Sequence, residues 1–150
     1  MALQPGDAAP AFALATDGGD VVSLAGLLGT RVVLYFYPED DTPGCTRQAC
    51  ALRDGWPTIE ATGARVFGVS PDDVASHARF RARYGLPFPL LADPDATTCQ
   101  AYGVWHEREP GRMRVLRSTF LIGADGRIER VWRPIDPDAH LEILLEALAT

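Results

Sequence analysis

Two of the three cysteines lie in the segment YFYPEDDTPGCTRQAC, residues 35–50, and its layout gives one of them a reason to react. An apolar run ends at Pro38, a polar turn follows, and Thr42 then reads as a helix N-cap with Pro43 as the first helical residue. Cys45 is therefore the third helical residue, where backbone N–H groups lack intrahelical acceptors and the macrodipole is positive. A thiolate, the nucleophilic form of cysteine, is stabilised there by up to about 2 kcal/mol, and a charge-assisted bond from an arginine contributes about 1.5–3 kcal/mol more. Free cysteine is also among the most buried residue types, so residue type alone leaves a core position equally open. Glu39, Asp40 and Asp41 precede the helix and would oppose a thiolate if they faced it, although exposed charges are largely screened beyond about 8–10 Å.

Cys50 lies five residues further along the same expected helix. In a continuous α-helix that spacing separates the Cα atoms by roughly 8.6 Å, more than the ~7 Å a disulfide spans without backbone movement. A bond between Cys45 and Cys50 thus requires the first helical turns to unwind, and Gly44 suits a helix start that frays. Cys99 reads as an inward-packed helix residue beside Ala96. Three cysteines with scattered His77, His106 and His140 offer no paired ligand spacing, so no metal site is expected. Arg117 begins an apolar strand; an arginine at the start of an edge strand is ordinarily solvated. Arg47, Arg53, Arg112 and Arg114 read as solvated charges.

The elements that would position these residues alternate along the chain. Extended pieces at 11–15 and 21–23 around a turn at 16–20 predict an N-terminal β-hairpin, and 24–28 a helical turn ended by Gly29. A strand at 31–37 leads into the cysteine helix, which should run to about Asp54. There Gly55 and Pro57 interrupt it or restart it. A strand at 65–70, a helix capped by Asp72 or Asp73 and ending at Gly85, a strand at 88–92 and a helix capped by Asp93 or Asp95 continue the pattern of a parallel core. Strands at 117–122 and 127–132 form a second hairpin, and 137–148 is an amphipathic helix with Leu141, Leu144, Leu145 and Leu148 at helical spacing.

Composition narrows the function. A chain of 150 residues suits one well-packed domain, and its 47% hydrophobic and 23% charged residues are those of an ordinary globular protein. No apolar run is long enough to span a bilayer, and the N-terminus lacks the basic and apolar regions of a secretory signal, so a cytoplasmic protein is expected. A net charge of -6 with no basic block argues against nucleic acid as a partner. All the basic residues are arginine, which excludes lysine Schiff-base chemistry and a Walker-type phosphate lysine. Three cysteines are too few for a disulfide-stapled scaffold.

Pro38, Thr42 and Cys45, in the order P-x-x-x-T-x-x-C, resemble the peroxidatic signature of the peroxiredoxins, and Cys50 five residues on resembles the bacterioferritin comigratory protein, or peroxiredoxin Q, branch. The resemblance continues through FYP before the motif, ALRD after it, FPLLAD at 88–93, AYGVW at 101–105 and RSTFLI at 117–122, in the family's order. It implies a thioredoxin-like α/β fold, a central mixed sheet flanked by helices with an N-terminal hairpin. It also implies a thiol-dependent peroxidase that reduces hydrogen peroxide and organic hydroperoxides without a cofactor or metal. By the same resemblance Cys45 attacks the peroxide and becomes a sulfenic acid, Cys50 resolves it as an intramolecular disulfide after local unfolding, and thioredoxin or a similar dithiol recycles the bridge. Arg117 becomes the cation beside the thiolate, Thr42 a contact of the thiolate or peroxide, Pro38 a shield over the site, and Thr119 a weaker match. Cys99 departs from the pattern and is the reserve resolving residue. The protein is expected to be a monomer or weak dimer. Two rivals are a thioredoxin-like dithiol oxidoreductase, against which stands the C-x₄-C spacing, and a non-catalytic redox sensor using the same thiols.

Overall fold

The computed structural model describes residues 2–150. Its chain order is β1 (Ala13–Thr16), β2 (Val21–Ser23), a 3₁₀ turn (Ala25–Leu27), β3 (Val32–Phe36), α1 (Pro43–Asp54), α2 (Trp56–Ala61), β4 (Arg65–Ser70), α3 (Val74–Tyr84), β5 (Leu90–Ala92), α4 (Thr97–Ala101), β6 (Trp105–Glu109), β7 (Arg112–Val115), β8 (Ser118–Ile122), β9 (Ile128–Trp132) and α5 (His140–Leu148). Seven strands form one mixed sheet in the order β2-β1-β5-β4-β3-β8-β9, and β6 and β7 form a separate hairpin. β3, β4 and β5 are parallel, while β8 runs antiparallel to β3 and β1 to β5. This is the thioredoxin-like arrangement the sequence resemblance implies.

β3 is buried on both faces, which explains its continuous apolar sequence VVLYF. The pleat sends Val32, Leu34 and Phe36 into one core layer, and Val33, Tyr35 and the following Tyr37 into the other. Residues of α1, α2, α3 and α5 fill the second layer; α4, the N-terminal segment and the end of the β6–β7 hairpin fill the first. Cys45 and Cys99 consequently lie in different layers, with the sheet between them.

Several boundaries differ from the sequence expectation for local reasons. β5 starts at Leu90, after Pro87 and Pro89, because proline has no N–H to give the ladder. α5 starts at His140, since an Asx turn (Asp138 N to Asp136 Oδ1, 2.8 Å) and the bond from Ala139 N to Asp136 O hold residues 136–139 in a turn. α1 ends at Asp54 and α2 restarts with Pro57 in its first turn. A side chain at Gly55 would meet Leu141 Cδ1 at 2.7 Å, so α5 packs closely against the break. Asp73 caps α3 through Ser76 N, and Gly85 ends it in the left-handed region at φ 60°. The β6–β7 hairpin is not signalled in the sequence, because HEREPGRMR lacks apolar alternation and nearly all its side chains are exposed. β8 is not an edge strand: it pairs with β3 on one side and β9 on the other. Among the described residues no helix is long and apolar enough to cross a membrane.

Candidate active site

β3 delivers the chain to the start of α1 at one end of the sheet. Thr42 sits at the N-cap with an extended backbone (φ -87°, ψ 156°), Pro43 is the first helical residue and Cys45 the third, as the sequence predicts. The Thr42 side chain makes no capping bond; its hydroxyl donates to Glu39 O at 2.9 Å and tightens the turn. Pro38 is half-buried between β3 and that turn.

Cys45 is 2% exposed, and its sulfur accepts a bond from Arg117 Nη2 at 3.2 Å. Arg117 immediately precedes β8, and β8 lies beside β3, so residues 72 apart in sequence meet at one sheet end. Gly44 leaves room for this approach: a Cβ there would stand 3.3 Å from Arg117 Nη2, tighter than an ordinary contact. The other guanidinium nitrogen, Nη1, donates to Gln48 Oε1 at 2.5 Å. Gln48 Nε2 lies 2.9 Å from His140 Nδ1, and His140 Nε2 lies 2.9 Å from Thr119 Oγ1. Gln48, His140 and Thr119 are fully buried. Burial, reinforced by Arg117, pushes the His140 imidazole down from 6.5 to about 3, so the ring is neutral at ordinary pH.

The three acidic residues of the turn do not oppose the sulfur unpaired. Asp40 Oδ1 accepts from Tyr37 OH at 2.6 Å, and Asp40 Oδ2 lies 2.8 Å from both Ser76 Oγ and His77 Nδ1. Asp41, in the left-handed region at φ 62°, pairs with Arg83 at 2.6 Å and accepts from Tyr84 OH at 2.7 Å. The Tyr84 bond, with that from Arg83, holds the Asp41 carboxyl below its usual range. Glu39 lies 3.7 Å from Arg114. Asp72 joins this clamp by accepting from Asp40 N and Ser70 Oγ, and His77 Nε2 bonds Leu91 O at 3.0 Å. Asp40, Asp72 and His77 thus lie close enough to suggest metal ligands, but their facing atoms are engaged in tying the turn to α3.

Tyr35 stacks on Tyr37 at 5.4 Å and meets the His140 ring edge-on at 5.5 Å. A Cβ on Gly68 of β4 would come within 2.9 Å of its ring and hydroxyl, so the glycine makes the space the ring occupies. Burial raises both phenols well above their ordinary values, which keeps them protonated.

Of the expected site residues, the structure brings Cys45 and Arg117 into contact and sets Pro38 and Thr42 on the turn before them. Cys50 is half-buried on the same unbroken helix, and all three cysteines are free. Arg53, expected as solvated, donates to Tyr84 O at 2.7 Å and joins the ends of α1 and α3. Gln48 and His140 were not anticipated. Gln48 stands three residues after Cys45, on the same helical face, which is a readable signal; nothing in the sequence joins His140 to either.

Known proteins resemble this chain in sequence and fold. The AhpC/TSA family matches residues 5–131. Peroxiredoxin Bcp of Escherichia coli strain K12 is 40% identical over 149 residues, covering 97% of this chain and 96% of that protein. A cysteine-to-serine variant of PrxQ from Xylella fastidiosa superposes with a TM-score of 0.93 at 34% identity, covering 99% of this chain and 97% of the other. The bacterioferritin comigratory protein of Xanthomonas campestris, described for its alkyl peroxide reduction activity, superposes at 0.87 with 35% identity, over 92% and 90% of the two chains.

Proposed function

The chain belongs to the AhpC/TSA family as a thiol-dependent peroxidase of the Bcp and PrxQ peroxiredoxins, and from that premise we propose that Cys45 is its peroxidatic nucleophile and Arg117 the cation that serves it. The 3.2 Å bond from Arg117 Nη2 to Cys45 Sγ, at the positive end of α1, carries this assignment. The Cys45 thiolate attacks one oxygen of a hydroperoxide. The S–O bond forms as the O–O bond breaks, the departing oxygen takes a proton to leave as water or an alcohol, and sulfur is oxidised to sulfenic acid. Arg117 stabilises the charge that moves onto the departing oxygen. Pro38 shields the sulfur, and Thr42, one turn before it, directs a hydroxyl to the incoming peroxide once that hydroxyl leaves Glu39 O. The substrates are hydrogen peroxide and organic hydroperoxides, with no metal or cofactor.

Cys50 is the resolving residue in this reading. Its thiolate displaces the sulfenic oxygen as water and forms a disulfide, which thioredoxin or a similar dithiol reduces to return both thiols. The continuous helix keeps the two Cα atoms roughly 8.6 Å apart, so the first turns of α1 unwind for this step. Their buried face consists of Cys45, Gln48 and Ala49, small or polar groups, whereas the apolar anchor Leu52 comes only later. Opening residues 43–50 therefore releases little apolar surface. Cys99 is the weaker resolving candidate because the sheet separates it from Cys45. The protein acts as one cytoplasmic domain, residues 1–150, as a monomer or weak dimer.

Cys45→Ser should reduce peroxide turnover to background with the fold retained by circular dichroism; turnover at the wild-type rate rejects the proposal. Cys50→Ser should leave the first oxidation near wild type, yet excess peroxide should carry Cys45 on to sulfinic acid, seen by peptide mass mapping. A Cys45–Cys99 bridge in the oxidised wild type would instead remove Cys50 from its role.

A further inference from the structure

Behind the arginine, the bonds among Gln48, His140 and Thr119 have only one self-consistent direction. A guanidinium donates and never accepts, so the Gln48 carbonyl oxygen is the atom that faces Arg117 Nη1. The Gln48 amide nitrogen, which only donates, then faces His140, and His140 Nδ1 must be the lone-pair nitrogen. A neutral ring with a bare Nδ1 has its proton on Nε2, which donates to Thr119 Oγ1. The imidazole, fully buried, is held in its neutral form by that burial and by Arg117. Turning the Gln48 amide over would set its NH₂ against Arg117 Nη1, donor against donor, on a fully buried glutamine.

We propose that His140 is a positioning residue for the peroxidase reaction: its Nδ1 lone pair fixes the orientation of the Gln48 amide, and through that amide fixes the Arg117 guanidinium on Cys45. The inference rests on the assignment of Arg117 as the working cation. The chain of contacts draws on three separate elements, α5 for His140, α1 for Gln48 and β8 for Thr119, so the guanidinium plane is set by the packing of the whole layer and not by its own flexible stem. Arg117 has two nitrogens with defined partners; releasing Nη1 frees Nη2 to rotate off the sulfur.

The test uses His140→Leu and His140→Gln. Leucine fills space but offers no acceptor, so His140→Leu should lower kcat/KM for peroxide about tenfold or more, as misplacement of a reacting group does. The thiolate fraction of Cys45 at neutral pH, read by ultraviolet absorbance, should fall with it, while kcat limited by the dithiol donor stays put. His140→Gln, which can accept from Gln48 and donate to Thr119, should recover most of the loss. On the wild-type protein, ¹⁵N spectra of the imidazole should show the neutral Nε2–H tautomer, a readout that needs no variant to fold and no turnover. A His140→Leu protein that melts earlier but keeps its peroxide rate and thiolate absorbance, or a wild-type ring protonated on Nδ1, overturns the inference. If Arg117→Ala also reacts at the wild-type rate, the assignment of the arginine fails instead.

Discussion

Cys45 and Cys99 hold the same place in their helices, the third residue of α1 and of α4, and both are buried. Their surroundings are opposite. Cys45 receives a guanidinium N–H at 3.2 Å, and the only charged side chain bonded to its sulfur among the described residues is that cation. At α4 the first turn is already served by Asp93, fully buried, whose carboxylate accepts from Thr98 N at 3.2 Å and from Cys99 N at 2.8 Å. Burial first, and then Asp93, push the Cys99 thiol far above its ordinary value. The donors at a helix start are thus a finite resource that either an anion of the scaffold or a thiolate can use. On the proposed assignment, a cysteine in the first turn serves as nucleophile where no carboxylate has taken that turn and a cation stands on the other side.

The sharpest way to break the contrast is to remove the cation. Arg117→Ala should slow the reaction with peroxide by about 100-fold or more, equivalent to about 2.7 kcal/mol, in stopped-flow oxidation. A wild-type rate would mean that helix position alone activates Cys45 and that Cys99 is silent for want of access.

A smaller effect tests the neutrality of the site behind that cation. The folded His140 titrates near 3 and the unfolded imidazole at 6.5, so between these values the unfolded chain binds a proton that the native one does not. This contribution to stability is complete above 6.5 and is lost as pH falls, by about 1.4 kcal/mol per pH unit. Denaturant titrations of wild type and His140→Gln should diverge in their pH slopes below 6.5 by that amount. Parallel slopes would show that the ring is not held neutral.

The smallest effect is expected at Cys99. Cys99→Ala should keep peroxide turnover within about twofold and cost on the order of 1 kcal/mol of stability, the price of a small cavity. Alkylation of the folded wild type should label Cys45 and spare Cys99. A large loss of turnover in Cys99→Ala would bring the far side of the sheet into the mechanism.

What the sequence revealed follows the range over which each interaction acts. The N-cap position of Thr42, though not a capping bond from its side chain, the Pro43–Gly44–Cys45 start, the break at Gly55 and the stop at Gly85 depend on neighbouring residues, and they were legible. The β6–β7 hairpin was not, because its strands bury almost nothing and so carry no period. Arg117 could be singled out only by its resemblance to a known motif, since an isolated arginine before a strand looks the same whether solvated or bound. His140 shows the limit most plainly: it stands 92 residues from Gln48, and only the packing of α5 on α1 brings their side chains together. The acidic turn is the converse case, since Glu39, Asp40 and Asp41 are adjacent in sequence while, Tyr37 apart, their side-chain partners come from distant β7 and α3.

The position of β8 in the sheet has a consequence for the birth of the protein. β3 can pair with β4 as soon as residue 70 is available, whereas its other neighbour comes from residues 118–122. During synthesis, at roughly 5–20 residues per second, the chain therefore spends several seconds with Cys45 made and Arg117 not yet attached. In that interval the helix start can form but the cation is missing, so the nascent thiol has its least reactive setting while it is most exposed to stray oxidants. With Arg117 as the proposed cation, the antiparallel insertion of β8 makes reactivity depend on a late part of the chain, switched on when β8 joins β3.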